Sequence, residues 1–253
     1  MKSKIFIITI ILTFAASSIF SQTYKWSDGS ADILEQGRKE IGIFAPLKLG
    51  LKNSAEISTN PVLFFVIPNV SYKKQWKNTE KYRFASKHTF TYPTLLYKMM
   101  STSGAGGILP ATSTIPQLFK LNNDALLTFD KFGQKITVSA GIDICLSAGD
   151  ADFSYIEWHI VYPRTYSLNN TFTPHAGVDI TGDLYKNFVY EYKFNIFLLT
   201  QSDAGTITEN QFKIAWRKSD KFAVKAGAIY SCGTFPFGKD GGFFPVLDLM
   251  FGF

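Results

Sequence analysis

A run of twelve residues, 135–146, alternates strictly between apolar side chains and small or polar ones. Successive side chains of an extended strand point to opposite faces, so strict alternation indicates a β-strand with one apolar and one polar face. The apolar positions are Ile136, Val138, Ala140, Ile142, Ile144 and Leu146. The chain is therefore expected to build a sheet whose two faces meet different surroundings.

The same alternation recurs along most of the chain after residue 39. Clear segments are 40–52, 62–73, 82–92, 156–162, 176–181, 190–198, 211–217 and 222–230. Residues 118–121 and 125–129 alternate poorly and are expected to form a hairpin across a turn at 122–124, where the sequence Asn-Asn-Asp favours a turn. Together with 135–146 and a final strand within 241–253, these segments predict about twelve strands, with ten or fourteen as the alternatives.

The last residues, 241–253, read GGFFPVLDLMFGF. Leu247, Leu249, Phe251 and Phe253 fall on one face at a period of two, and the sequence ends on an aromatic residue. This pattern resembles the C-terminal β-signal of Gram-negative outer-membrane β-barrel proteins. The resemblance implies a closed antiparallel transmembrane barrel, inserted by the barrel-assembly machinery and surrounded by outer-membrane lipids.

The first residues have the order of a secretory signal peptide. Lys2 and Lys4 precede an apolar run at 5–14, and mostly small residues follow at 15–21. An apolar run of about ten residues is too short to span a bilayer as a helix. The expected organisation is a signal peptide at 1–21, a periplasmic lead-in at 22–38 with a short helix near Ile33, and an outer-membrane barrel at 39–253.

An ordinary β-sandwich also alternates, so other features must separate it from a membrane barrel. Aromatic residues make up 16% of the chain, including 24 Phe and 12 Tyr. Such a content suits a lipid-facing band with aromatic girdles, and the signal peptide and the long strands favour the same fold. Nothing in the sequence indicates nucleic-acid binding, because no single predicted element carries a cluster of Lys and Arg residues.

A twelve-strand barrel should have short connections at its periplasmic end and long ones outside. The tight turns are expected at 77–79, 122–124, 186–187 and 218–220, and the long loops at 94–116, 163–174 and 232–242. This arrangement places Cys145 near the periplasmic end and Cys232 near the outer end, too far apart for a disulfide. Both thiols are expected to be free.

If the apolar faces point outward, the polar faces line the lumen. The expected lumen-lining residues are Lys48, Lys73, Arg83, Lys87, Lys135, Asp143, Glu157, His159, Asp179, Glu191, Lys193, Lys213, Arg217, Lys225 and Asp248. Charges facing a lumen must either pair with one another or line water. The sequence leaves both arrangements open, and an excess of basic residues would favour anionic solutes if a path exists.

The histidines offer little support for an enzyme or a metal site. His88 is predicted to face outward as a polar anchor, and no serine stands two positions after it. His159 and Glu157 share a face but lack a third metal ligand, so we expect no metal, cofactor or catalytic residue. The predicted function is a passive channel or uptake path for small polar solutes, including anionic ones. The alternatives are a closed barrel serving a surface or secretion assembly, and an outer-membrane lipid-modifying enzyme.

Overall fold

The computed structural model describes residues 26–102, 108–199, 205–238 and 241–253. The predicted signal peptide and residues 22–25 lie outside this part of the chain. The described residues form twelve strands and two helices. The strands are β1 Lys39–Gly42, β2 Leu47–Leu51, β3 Ala55–Thr59, β4 Asn69–Asn78, β5 Arg83–Thr91, β6 Gln117–Lys131, β7 Gln134–Ala148, β8 Phe172–Tyr185, β9 Phe188–Leu199, β10 Gly205–Arg217, β11 Phe222–Gly233 and β12 Gly241–Gly252; the helices are α1 Thr94–Ser101 and α2 Tyr162–Asn170.

Each strand pairs antiparallel with its sequence neighbours, and β1 pairs with β12 to close a barrel. Ile41 lies opposite Phe251 in this closing pair. The backbone nitrogen of Lys39 donates to the carbonyl oxygen of Phe253 at 3.0 Å, and the nitrogen of Phe253 donates back at 2.9 Å. The prediction of a closed antiparallel barrel with twelve strands is confirmed.

The two ends of the barrel differ in the length of their connections. Short connections at 52–54, 79–82, 132–133, 186–187 and 218–221 lie at one end, which we call the turn end. The long connections at 92–116 and 149–171, which contain α1 and α2, lie at the other, the loop end. Neither helix among the described residues is long and apolar enough to span a membrane.

The strand count is right, but two pairs of errors cancel within it. Residues 118–129 belong to one strand, β6, so the expected turn at 122–124 is wrong, and residues 156–161 form no strand. Conversely, segment 40–52 divides into β1 and β2, and residues 55–59, which lay outside every predicted strand, form β3. The break at 43–46 is held from β12, because the Asp248 carboxylate accepts the backbone N–H groups of Phe44 and Ala45 at 3.1 and 2.9 Å.

The outward side of the barrel carries a continuous apolar surface. Side chains that alternate along the strands, among them Val138, Phe212, Ile214, Leu247 and Phe251, are between 39% and 61% exposed. Leu247, Leu249 and Phe251 point outward from β12, as the alternation predicted, and Phe253, which follows the strand, is exposed. Most charged strand residues lie on the opposite, inner side, so the polarity of this barrel is inverted relative to a globular protein.

The two cysteines are free, as predicted, but their predicted positions at opposite ends of the barrel are wrong. Both thiols are free, and Cys145 is buried whereas Cys232 is partly exposed. Cys145 lies near the loop end of β7, and Cys232 lies near the loop end of β11. The two residues share an end of the barrel because the expected turn at 122–124 does not exist, which reverses the direction assigned to β7.

Candidate functional site

The inner wall of the barrel encloses a cavity of about 660 Å³ lined mainly by polar side chains. It lies between the N-terminal segment 26–38 and the loop end, where Ala45, Pro46 and Asn60 contribute to its wall. Nine of the residues expected to line the lumen border this cavity. They are Lys48, Lys73, Lys87, Asp143, Asp179, Glu191, Lys193, Lys213 and Lys225.

Four more of these residues face inward without bordering the cavity. Arg83 and Lys135 contact the N-terminal segment near the turn end. Arg217 approaches Glu191, with 3.9 Å between the guanidinium nitrogen Nη2 and the carboxylate oxygen Oε1. Asp248 holds the 43–46 connection, as described above.

The structure contradicts the strand assigned to Glu157 and His159. Both were expected on a luminal strand face, but they lie in the loop-end connection before α2, where Glu157 is exposed. His159 nevertheless lies against the inner wall, where the buried Ser231 hydroxyl donates to its carbonyl oxygen at 3.0 Å. The His159 ring packs edge-on against Phe235 and Phe237, with ring centroids 4.7 and 5.2 Å apart. Their apparent alternation has no strand partner, since the pairing of β7 passes directly to β8.

The N-terminal segment 26–38 lies inside the turn end of the barrel, where we name it the plug. The expected periplasmic lead-in is therefore wrong for these residues, and the plug contains no helix near Ile33. Ala31 is completely buried; its N–H donates to the Thr128 hydroxyl at 2.8 Å, and its carbonyl accepts from the Gln75 side chain at 3.0 Å. These backbone contacts to two different strands fix the plug against the wall.

Two carboxylates of the plug join it to basic residues of the barrel. Lys135 Nζ lies 2.8 Å from Asp28 and 2.6 Å from Asp32, and Arg83 Nε lies 2.6 Å from Asp32. The Asp28 side chain is only 7% exposed. Burial raises the pKa of Asp28, but the Lys135 charge and the hydrogen bonds from Lys135 and Ser30 outweigh it, so this pKa lies below its ordinary value.

Acid is expected to loosen the plug. A carboxylate whose pKa is lower in the folded state than in the unfolded state stabilises the folded state. This stabilisation is complete when the pH lies above the unfolded-state pKa, and it is lost as the pH falls toward the folded-state pKa. Docking of the plug should therefore be constant from about pH 5 to pH 8 and weaken below about pH 4. Trp26, whose indole nitrogen donates to the Ser219 carbonyl at 2.8 Å, reports docking by its fluorescence. A response that is unchanged in the Asp28→Asn protein would contradict this assignment.

At the loop end, α2 contributes an arginine to the inner wall. Both terminal nitrogens of Arg164 lie 2.6 Å from the carboxylate oxygens of Glu209, which is 1% exposed. Asn195 donates to the same carboxylate at 3.2 Å, and the guanidinium stands over the Phe197 ring. This pair was not predicted, because Arg164 lies in a connection and no alternation marks a loop residue that folds back onto a strand.

Several luminal charges form ion pairs along the cavity wall. Lys225 lies 2.6 Å from Glu191, Lys120 lies 2.6 Å from Asp143, and Lys193 lies 3.4 Å from Asp179. His175 shares a 2.8 Å contact with Asp124. These pairs bridge neighbouring or nearby strands, so they also hold the inner wall in register.

Not every luminal lysine has a carboxylate partner. Among the described residues, no carboxylate oxygen lies within 4.0 Å of the ammonium group of Lys87 or Lys213. Lys48 donates to the Ser27 hydroxyl at 2.7 Å instead of to a carboxylate. Lys48, Lys87 and Lys213 all border the cavity, which therefore has an incompletely neutralised cationic wall.

No group of three or more His, Cys, Asp or Glu side chains in the described part of the chain is placed to hold a metal ion.

The chain matches no family model and no curated protein. Among solved structures, it is similar to the outer membrane channel DcaP of Acinetobacter baumannii, with 12% sequence identity and a TM-score of 0.35. The alignment covers 94% of this chain and 70% of that chain.

Proposed function

We propose that this protein is an outer-membrane β-barrel that admits small anionic solutes into its luminal cavity and that the plug controls passage through the turn end. The observation that carries this proposal is the set of cavity lysines without carboxylate partners. A wall built only to fill the barrel would pair its charges, because a desolvated charge without a partner is costly.

The membrane location is supported by the outer surface. A soluble protein rarely exposes an apolar patch of more than a few hundred Å². Here aromatic and aliphatic side chains are exposed around the barrel, including Phe90 and Phe119 on β5 and β6 and Trp216 on β10. We further propose that the C-terminal residues Leu247, Leu249, Phe251 and Phe253 are read by the barrel-assembly machinery during insertion.

The anionic preference follows from the geometry of the cavity wall. Lys87 lies on β5 and Lys213 on β10, on opposite parts of the barrel, and both border the same cavity. An anion beside either ammonium group would gain a charge-assisted hydrogen bond that no carboxylate of the described residues supplies. The acidic side chains of the wall are already engaged by Lys225, Lys193 and Lys120.

Replacing Lys87 and Lys213 by glutamine should weaken anion binding and reduce anion selectivity. A hydrogen bond to a charged group contributes about 1.5–3 kcal/mol, so we expect a loss of inorganic-phosphate affinity of about 10- to 150-fold for each lysine. Calorimetric titration measures the affinity, and the reversal potential under a salt gradient in a planar bilayer measures the selectivity. The matched control is Lys218→Gln, which removes an exposed lysine at the turn end.

A closed barrel that serves a surface or secretion assembly is the second candidate, and the inserted plug is the observation that favours it. The two candidates separate once the plug is released, as in the variants described in the Discussion. Steady openings after release support the solute path. A folded barrel that stays silent with the plug released would overturn the solute path in favour of the closed barrel.

A further inference from the structure

Three polar side chains contact one another on the outer wall, within the apolar surface of β5 and β6. Ser86 and His88 are two residues apart on β5, so both point outward. Asn123 lies directly opposite His88 in the pairing of β5 with β6. Phe84 and Phe90 flank the two polar residues along β5. Lys74 lies directly opposite Ser86 on β4 and donates to the Asn53 carbonyl, so the group interrupts the apolar surface near the turn end.

The hydrogen bonds in this group have a single consistent direction. His88 Nδ1 lies 2.8 Å from Asn123 Oδ1, and His88 Nε2 lies 3.1 Å from Ser86 Oγ. The amide oxygen can only accept, so a neutral imidazole carries its proton on Nδ1 and leaves Nε2 as an acceptor for the serine hydroxyl. Trp76 Nε1 donates to Ser86 Oγ at 2.8 Å, which leaves the hydroxyl proton of Ser86 to point toward His88.

We propose that Ser86, His88 and Asn123 form a lipid-ester hydrolase site on the outer wall. Ser86 is the nucleophile, His88 is the general base, and Asn123 is a positioning residue that fixes the tautomer of the imidazole. This order of nucleophile, base and orienting group is the arrangement that activates a serine hydroxyl. The inference rests on the membrane location proposed above, but it is independent of the lumen and the plug.

The position two residues after His88 is Phe90, so the spacing considered in the sequence did not reveal this arrangement. The serine stands two positions before His88, on the same face. Asn123 is remote in sequence and is brought to His88 only by the register of β5 and β6. The residue that orients the base could therefore be found only in the folded barrel.

The reaction balances with water as the second reactant. Ser86 Oγ attacks the carbonyl carbon of an acyl ester while His88 Nε2 takes the hydroxyl proton. The tetrahedral intermediate expels the alcohol, which leaves with that proton, and the acyl group remains on Ser86. Water then loses a proton to His88, attacks the acyl carbon, and releases a fatty acid as the proton returns to Ser86.

The surroundings point to a long-chain ester rather than a soluble one. Tyr72 lies opposite His88 on the other side of β5, and Leu121 stands beside Asn123 on β6; both are at least 40% exposed. A substrate must therefore approach from the apolar phase around the barrel, with its acyl chains along these side chains. The acyl ester of a membrane glycerolipid fits this approach.

A second polar contact on the outer wall supplies a comparison. Tyr192 donates its hydroxyl to Asn210 Oδ1 at 2.8 Å, which satisfies both groups without a base or a nucleophilic serine. A purely structural polar contact on the outer wall, like that of Tyr192 with Asn210, needs only two side chains. The β5–β6 group instead places His88 between Ser86 and Asn123. Asn210→Ala is therefore a matched control that removes an outward-facing amide without affecting the proposed site.

The test uses the full chain in vesicles of phosphatidylethanolamine and phosphatidylglycerol. Fatty-acid release is measured by mass spectrometry, and labelling by a hexadecyl fluorophosphonate is mapped by peptide mass. We expect release by the wild type and by Asn210→Ala, with a loss of at least about 1,000-fold in Ser86→Ala and His88→Ala. Asn123→Ala should retain labelling at a rate lowered by about tenfold or more, whereas Ser86→Ala should lose the label at this site.

Folding and location are followed separately. The shift in gel mobility on heating reports the closed barrel for each variant. Folded wild-type protein that neither releases fatty acid nor takes the label at Ser86 would overturn the proposal, as would unchanged release by folded Ser86→Ala. Labelling of Ser86 in detergent micelles, together with failure to enter vesicles, would support the site and overturn the membrane location. Ion conductance should be the same in Ser86→Ala and wild type.

Discussion

The double variant Asp28→Asn, Asp32→Asn is expected to release the plug and open the turn end of the barrel. Both carboxylates bind Lys135, and Asp32 also binds Arg83, so the variant removes three ion-pair contacts at once. Removing one partner of a buried ion pair typically costs about 3–5 kcal/mol, because the remaining charge stays desolvated. Asp32 is about a third exposed and contributes less than Asp28.

Even a loss of about 3 kcal/mol shifts an equilibrium more than 100-fold toward the released state. Frequent openings in a planar bilayer are therefore expected where the wild type is mostly closed. The control Asp150→Asn, Glu157→Gln removes the same net charge from exposed residues of the loop end. Equal conductance in the double variant and in this control would show that the plug is not the barrier.

Gly50→Ala should release the plug through a steric clash, without removing any charged group. Gly50 lies on the inner face of β2, and an added Cβ would stand 2.0 Å from the carbonyl oxygen of Glu35 and 2.6 Å from that of Leu34. Both obstacles are backbone atoms, so no side-chain rotation relieves the clash. Overpacking of this kind typically costs about 1–3 kcal/mol, and here it falls on the contact between the plug and the wall.

Limited trypsin digestion measures the release of the plug in this variant. Arg38 is held by hydrogen bonds to Glu40 at 3.1 Å and to the Asp220 carbonyl at 2.9 Å, so we expect slow cleavage in the wild type. Gly50→Ala should be cleaved after Arg38 at least several-fold faster while the barrel stays folded. Leu49→Ala, on the outward face of the same strand, is the control. Cleavage of Gly50→Ala at the wild-type rate would mean that β2 shifts and the plug remains docked.

The candidate site could be predicted from the sequence where strands are long and their pairing is regular. Lys135 and Asp143 on β7, Lys193 on β9 and Lys225 on β11 all face inward, as their alternation indicated. The prediction failed at Glu157, where an alternating segment has no neighbouring strand to pair with. Alternation of polarity shows which residues share a face of an extended segment. It does not show whether a neighbouring strand is present to form backbone hydrogen bonds with that segment.

The plug could not be predicted because its partners are distant in sequence. Its composition has no sustained period, which is typical of a connecting segment. Inside the barrel, polar groups of the plug serve as hydrogen-bond and ion-pair partners for the inward-facing Thr128, Gln75 and Lys135. These inward-facing side chains require such partners because they lie away from bulk water. Only the closure of β1 onto β12 creates the enclosed space that makes these contacts favourable.

The sequence by itself determined that the chain forms a β-structure with an apolar outer and a polar inner surface, because the polarity of alternate residues is a local property of an extended backbone. The tertiary structure decided which residues meet across that structure. Strand register placed Asn123 against His88, the fold of α2 placed Arg164 against Glu209, and the plug met Lys135. Each of these contacts joins residues more than thirty positions apart, so it depends on pairing and closure that no local pattern specifies.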